Sequence, residues 1–105
     1  MKKGEKLLEQ NKHYDNLQAV ATFYGFQMQL AKTLEELGEL STALAKTLLN
    51  HKNLGALKGE IADVYNMLDQ LCFLIDCEED VQKIAEEKME RQMGRIAAAQ
   101  DTDVI

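Results

Sequence analysis

The chain has 105 residues, with 46% drawn from the AVILMFWYC set, 29% charged and a formal net charge of −6. Those proportions fit one globular domain spanning 1–105 and exclude a disordered tail. The acidic balance argues against nonspecific binding to nucleic acid or to an anionic membrane, both of which need a basic face.

Proline is absent and glycine occurs six times. A chain so poor in turn residues favours an all-α fold over a many-stranded sheet. The N-terminal segment is positively charged but lacks the apolar core of a signal peptide. No stretch approaches the ~18 apolar residues of a membrane-crossing helix. Cys72 and Cys77 form neither a disulfide framework nor a CxxC motif. A reducing, cytoplasmic setting is therefore expected.

Residues 1–12 are polar and read as a loose arm or a short helix. Leu17, Val20, Ala21 and Tyr24 then recur at helical spacing, and Gly25 is a helix stop. A second helix is expected from about Gln27 to Asn50. Its stripe of Leu30, Leu34, Leu37, Leu44 and Leu48 is close to a heptad seam. The polar run Asn50-His51-Lys52-Asn53 reads as a loop, with Asn53 capping the next helix.

The third helix is expected over Leu54 to Ile75. Leu57, Ile61, Val64, Tyr65, Leu68, Leu71, Cys72 and Ile75 give it an apolar face wide enough for the centre of a bundle. Asp76, with Glu79 three residues on, resembles a capping box. It would open a fourth helix from Cys77 to about Ala99, with 100–105 frayed. The architecture expected is an antiparallel bundle of about four helices. The apolar faces exceed what one short bundle covers, so completion by homo-oligomerisation is expected. The aromatic residues are expected to pack in the core, and His13 and His51 to lie on the surface.

The acids are the most informative residues. Glu36 and Glu39 are three apart on the second helix, and Glu60 and Asp63 are three apart on the third. That spacing puts each pair on one side of its helix. Both pairs are displaced in the same sense from their apolar stripes, so antiparallel packing can turn them into one cleft. Four carboxylates meeting there must either gain protons or be neutralised by a divalent cation. An oxygen-only set suits Mg²⁺, or Mn²⁺, rather than Zn²⁺. On the fourth helix, the line begun by Val81 and Ile84 continues as Lys88, Arg91 and Arg95, so a core-facing stripe turns cationic. Its partners would be acids of the same helix or a bound polyphosphate.

Glu35-Glu36-x-x-Glu39 followed by Glu60-x-x-Asp63 resembles the EExxE…ExxD signature of the MazG-like, all-α nucleoside triphosphate pyrophosphohydrolases. The flanking words YGFQMQLAKTLEELGEL, EIADVYNMLDQL and KMERQMGRI agree, so the resemblance covers roughly residues 20 to 96. It implies a Mg²⁺-dependent enzyme that cleaves an NTP or dNTP between the α- and β-phosphates, giving a nucleoside monophosphate and pyrophosphate. Glu36, Glu39, Glu60 and Asp63 would ligate metal and carry catalysis, with Glu35 as a possible further ligand. Lys88, Arg91 and Arg95 would hold phosphates, and Gln29 could reach the nucleotide. The resemblance also implies a homodimer or homotetramer. The alternative is a noncatalytic helical module for nucleotide binding or oligomerisation.

Overall fold

The computed structural model describes residues 3–103, with side chains placed over 12–101. Four α-helices make up the fold: α1 (Lys3–Tyr24), α2 (Phe26–Leu49), α3 (Leu54–Leu74) and α4 (Glu78–Asp103). Among the described residues there is no strand, so the chain is all-α. Of the two readings of residues 1–12, a loose arm or a short helix, the helical one agrees from Lys3 onward, as the first half of α1, while the expected frayed tail is helical through Asp103. Met1, Lys2, Val104 and Ile105 lie outside the described residues.

The breaks between helices have local causes. Gly25 sits at φ 84, a left-handed backbone that glycine adopts without the Cβ clash other residues meet. One residue therefore separates α1 from α2, as its position at the end of the Tyr14–Tyr24 pattern suggests. Between α2 and α3, Asn50 Oδ1 accepts from the Lys52 backbone N–H at 3.1 Å and caps a single 3₁₀ turn, His51–Asn53. Asn53 precedes α3 without a side-chain cap. Its Nδ2 instead donates back to Ala43 O at 3.3 Å and to Thr47 Oγ1 at 3.4 Å, pinning the turn against α2.

Asp76 is not the capping residue its sequence context suggests. It stands at φ 51 and closes α3. Its N–H donates to Phe73 O at 3.3 Å, while Cys77 N–H donates to Cys72 O at 3.0 Å. This pair of bonds is a Schellman motif. A left-handed C′ residue is usually glycine, which is why an aspartate there reads from sequence as the start of the next helix.

Helices α2 and α3 pack as an antiparallel hairpin across the short turn, and α1 lies against both through Leu17 and Ala21. Each helix of the hairpin is rotated relative to its apolar stripe. On α2 the buried residues are Gln29, Thr33, Glu36 and Ala43; on α3 they are Val64, Met67 and Gln70. The leucine seam of α2 faces outward, with Leu34 72% and Leu48 83% exposed. Ile61, Tyr65 and Leu68 of α3 and Ile75 just beyond it are likewise exposed, as are Phe23, Tyr24 and Phe26, contrary to the core packing expected of the aromatic residues. On α2 the small Thr33 and Ala43 are buried beside Glu36, and the bulky leucine stripe remains outside.

Helix α4 packs on α3 alone, thinly, and every described side chain from Glu78 to Asp101 is exposed. A hydrogen bond from Tyr14 Oη to Glu78 Oε1 at 2.7 Å ties its first turn to α1. The radius of gyration is 18.1 Å, against about 13 Å for a compact domain of 100 residues. The Lys88–Arg91–Arg95 line therefore does not face a core within this chain, as its alignment with Val81 and Ile84 suggests it should. It projects with α4 into solvent.

Candidate metal centre

The acid pairs sit on the faces by which α2 and α3 meet. Rotation of the two helices turns Glu36 and Glu39 from one side and Glu60 and Asp63 from the other into the same space. One carboxylate oxygen from each of the four lies within 4.8 Å of all the others. Glu36 is buried, Glu60 half-buried, and Glu39 and Asp63 exposed, so the cluster has a closed floor and an open mouth. All four acids singled out by their spacing are thus brought together. Glu35, on the flank, is 59% exposed and outside the group.

The electrostatics are unbalanced. Lys32 Nζ lies 3.1 Å from Glu36 Oε1 and 3.6 Å from Glu35 Oε1, and these are the ion pairs formed at the cluster among the described residues. The Lys32 ammonium is held above its usual range chiefly by its hydrogen bond to Glu36, and next by the Glu35 charge. The Glu39 carboxyl is raised, first by the Glu36 charge, then by lost hydration and the Glu60 charge. Glu36 Oε2 and Glu60 Oε2 are buried without a hydrogen-bond partner. Buried carboxylate oxygens are rarely left so, because desolvation goes uncompensated. Four carboxylates, two of which carry an orphaned oxygen, fit a hard divalent cation. The cluster can hold a metal ion.

A cleft of about 370 Å³ opens beside the acids, lined among others by Glu39, Glu60, Ala43, Asn53 and Lys46. Lys46 and Lys32 flank the cluster on either side, ten residues after and four before Glu36 on the same helix. Neither stands out in the sequence as a site residue. The Lys32–Glu36 spacing of four was the available signal, whereas Lys46 belongs to the site only through the cleft it lines together with Asn53. The structure does not bring Lys88, Arg91 or Arg95 to the acids, since α4 does not approach α2. His13 and His51 are exposed, as expected.

In comparisons with known proteins, the chain matches no family profile, no curated protein and no solved structure.

Proposed function

We propose that the protein is a Mg²⁺-dependent nucleoside triphosphate pyrophosphohydrolase of the MazG-like type, yielding a nucleoside monophosphate and pyrophosphate. One observation carries this reading: two orphaned, buried carboxylate oxygens within a four-acid cluster that opens on a lysine-lined cleft. Glu36, Glu39, Glu60 and Asp63 would hold Mg²⁺, with Mn²⁺ as a substitute. The bound cation would supply Lewis acidity to the phosphate oxygens and acidify a water.

The chain's own groups do the rest. Glu36, fixed by Lys32, keeps the ligand set oriented. Glu39, at the open mouth of the cluster, accepts the proton of the attacking water. That water's oxygen bonds the α-phosphorus, the α–β bridging bond breaks, and pyrophosphate leaves with the electron pair. Lys46 in the adjoining cleft faces the charge of the departing pyrophosphate.

A second copy of the chain completes the assembly. Homodimerisation or homotetramerisation would cover the leucine seam of α2 and the open face of α3. It would also place α4 of one copy against another, so that Lys88, Arg91 and Arg95 meet phosphate in trans. No described helix is long and apolar enough to cross a membrane, and the two free thiols suit a cytoplasmic setting.

The test is incubation with each NTP and dNTP in Mg²⁺, with detection of monophosphate and pyrophosphate. Turnover that disappears in Glu39→Gln supports the reading; inactivity across the panel, or full activity in that variant, overturns it. The exposed stripes also favour a plainer reading, a noncatalytic oligomerisation module. Under that reading Mg²⁺ and nucleotides leave the melting temperature unchanged. Under the enzymatic one, a ligand at 100 times its Kd stabilises the fold by about 2.7 kcal/mol.

A further inference from the structure

We infer that a second cleft, on the other side of the acid cluster, binds the nucleobase of the triphosphate, with Gln29 and Gln70 reading the base edge. This rests on the pyrophosphohydrolase reading and extends it from phosphate chemistry to base recognition.

The cleft encloses about 360 Å³ between Val20, Tyr24, Met28, Met67 and the two glutamines. Its floor is polar although it is buried: Gln29 is 4% and Gln70 6% exposed. Gln29 Nε2 donates to Gln70 Oε1 at 2.6 Å. That bond leaves Gln29 Oε1 as an acceptor with no hydrogen bond of its own. Gln70 Nε2 reaches only Met67 Sδ, at 3.7 Å, and a thioether is a weak acceptor. The pair therefore keeps one strong acceptor and one underused donor side by side. A nucleobase edge offers the complementary pair, which is how a carboxamide side chain recognises a base. Tyr24, Met28, Val20 and Met67 supply the aromatic and polarisable walls a flat ring prefers.

Placement along α2 strengthens the assignment. Gln29 precedes Glu36 by seven residues, about 10 Å along the axis, and Lys46 follows it by ten, about 15 Å. Lys32 lines the amide cleft and bonds Glu36 at 3.1 Å, so cleft and acid cluster adjoin. The order along the helix is amide cleft, acids, lysine cleft. It matches the order of the substrate: base, α-phosphate, pyrophosphate.

The test measures binding of tripolyphosphate and of the four α,β-imido deoxynucleoside triphosphates to the full chain in Mg²⁺ by calorimetry. At least one nucleotide is expected to bind about tenfold or more tightly than tripolyphosphate, the worth of one or two buried hydrogen bonds. The double variant Gln29→Leu/Gln70→Leu, which removes both amides together so that neither is stranded, is expected to bind all five probes alike. Its affinity for tripolyphosphate should equal that of the wild type. Met28→Trp, which fills the cleft from an exposed wall, is expected to do the same without touching the amides. Equal binding of nucleotides and tripolyphosphate by the wild type, or base discrimination surviving in either variant, overturns the base site alone. Failure of the wild type to bind any of the five probes overturns the pyrophosphohydrolase reading and the base site with it.

Discussion

Glu39 shows how a few ångströms of shared space alter a residue. Its carboxyl is raised above its ordinary value of 4.5 by the Glu36 charge first, then by lost hydration and the Glu60 charge. A raised carboxyl contributes stability that is fully present below the unfolded value and lost as pH rises through the folded one. The metal-free chain is therefore expected to melt at progressively lower temperature as pH climbs from below 4.5 through the raised value. Adding Mg²⁺ should remove that decline, and Glu39→Gln should flatten it without metal; calorimetric melts across pH check all three. A metal-free profile identical in wild type and Glu39→Gln would rule out the crowding of charge. The four acids were legible in the sequence because a spacing of three fixes a shared helix side whatever the tertiary fold. Lys46 and Gln70 were not, because their roles arise only from which faces of α2 and α3 meet, and Lys32 showed only its spacing of four from Glu36.

Helix boundaries divide in the same way. Gly25 was legible as a stop, since the chain there needs a φ of 84 and the residue type declares it. Gly25→Ala is expected to cost about 1–3 kcal/mol in denaturant unfolding, because φ 84 with ψ 169 is a backbone region essentially restricted to glycine. Asp76 also stands at positive φ, 51, but behind a side chain that caps helices, so its neighbourhood reads as a beginning although α3 ends there. Asp76→Gly should stabilise the chain by about 1 kcal/mol; a loss of stability would mean that the carboxylate contributes more than the backbone strain costs. The azimuths were the hardest element-level feature to read. The heptad seam of α2 suggests an inward stripe, yet the chain's own hairpin uses the neighbouring face of threonine, alanine and glutamate. Periodicity reveals that a face is apolar but not which copy of the chain covers it.

Over the whole molecule, the all-α hairpin, the long fourth helix and apolar faces wider than one chain covers were legible, while the thin packing of α4 was not. A lone chain with Leu34 and Leu48 72% and 83% exposed leaves unburied side chains that would each contribute about 1.5–3 kcal/mol if covered. Sedimentation at micromolar concentration is expected to show a stable oligomer, and Leu34→Lys with Leu48→Lys to yield monomer that keeps its helical circular dichroism. A wild-type monomer would remove the assembly and, with it, the route by which the α4 cations reach phosphate.

The corner at Asp76 acts as the pivot of a long pointer. Helix α4 runs 26 residues, about 39 Å, beyond a single left-handed residue, held by thin packing on α3 and one tyrosine–glutamate tether. Tilting that corner by about 10° sweeps the far tip through about 7 Å at this length. The direction in which Lys88, Arg91 and Arg95 are aimed is thus decided some three to five helical turns away from them, by one backbone angle.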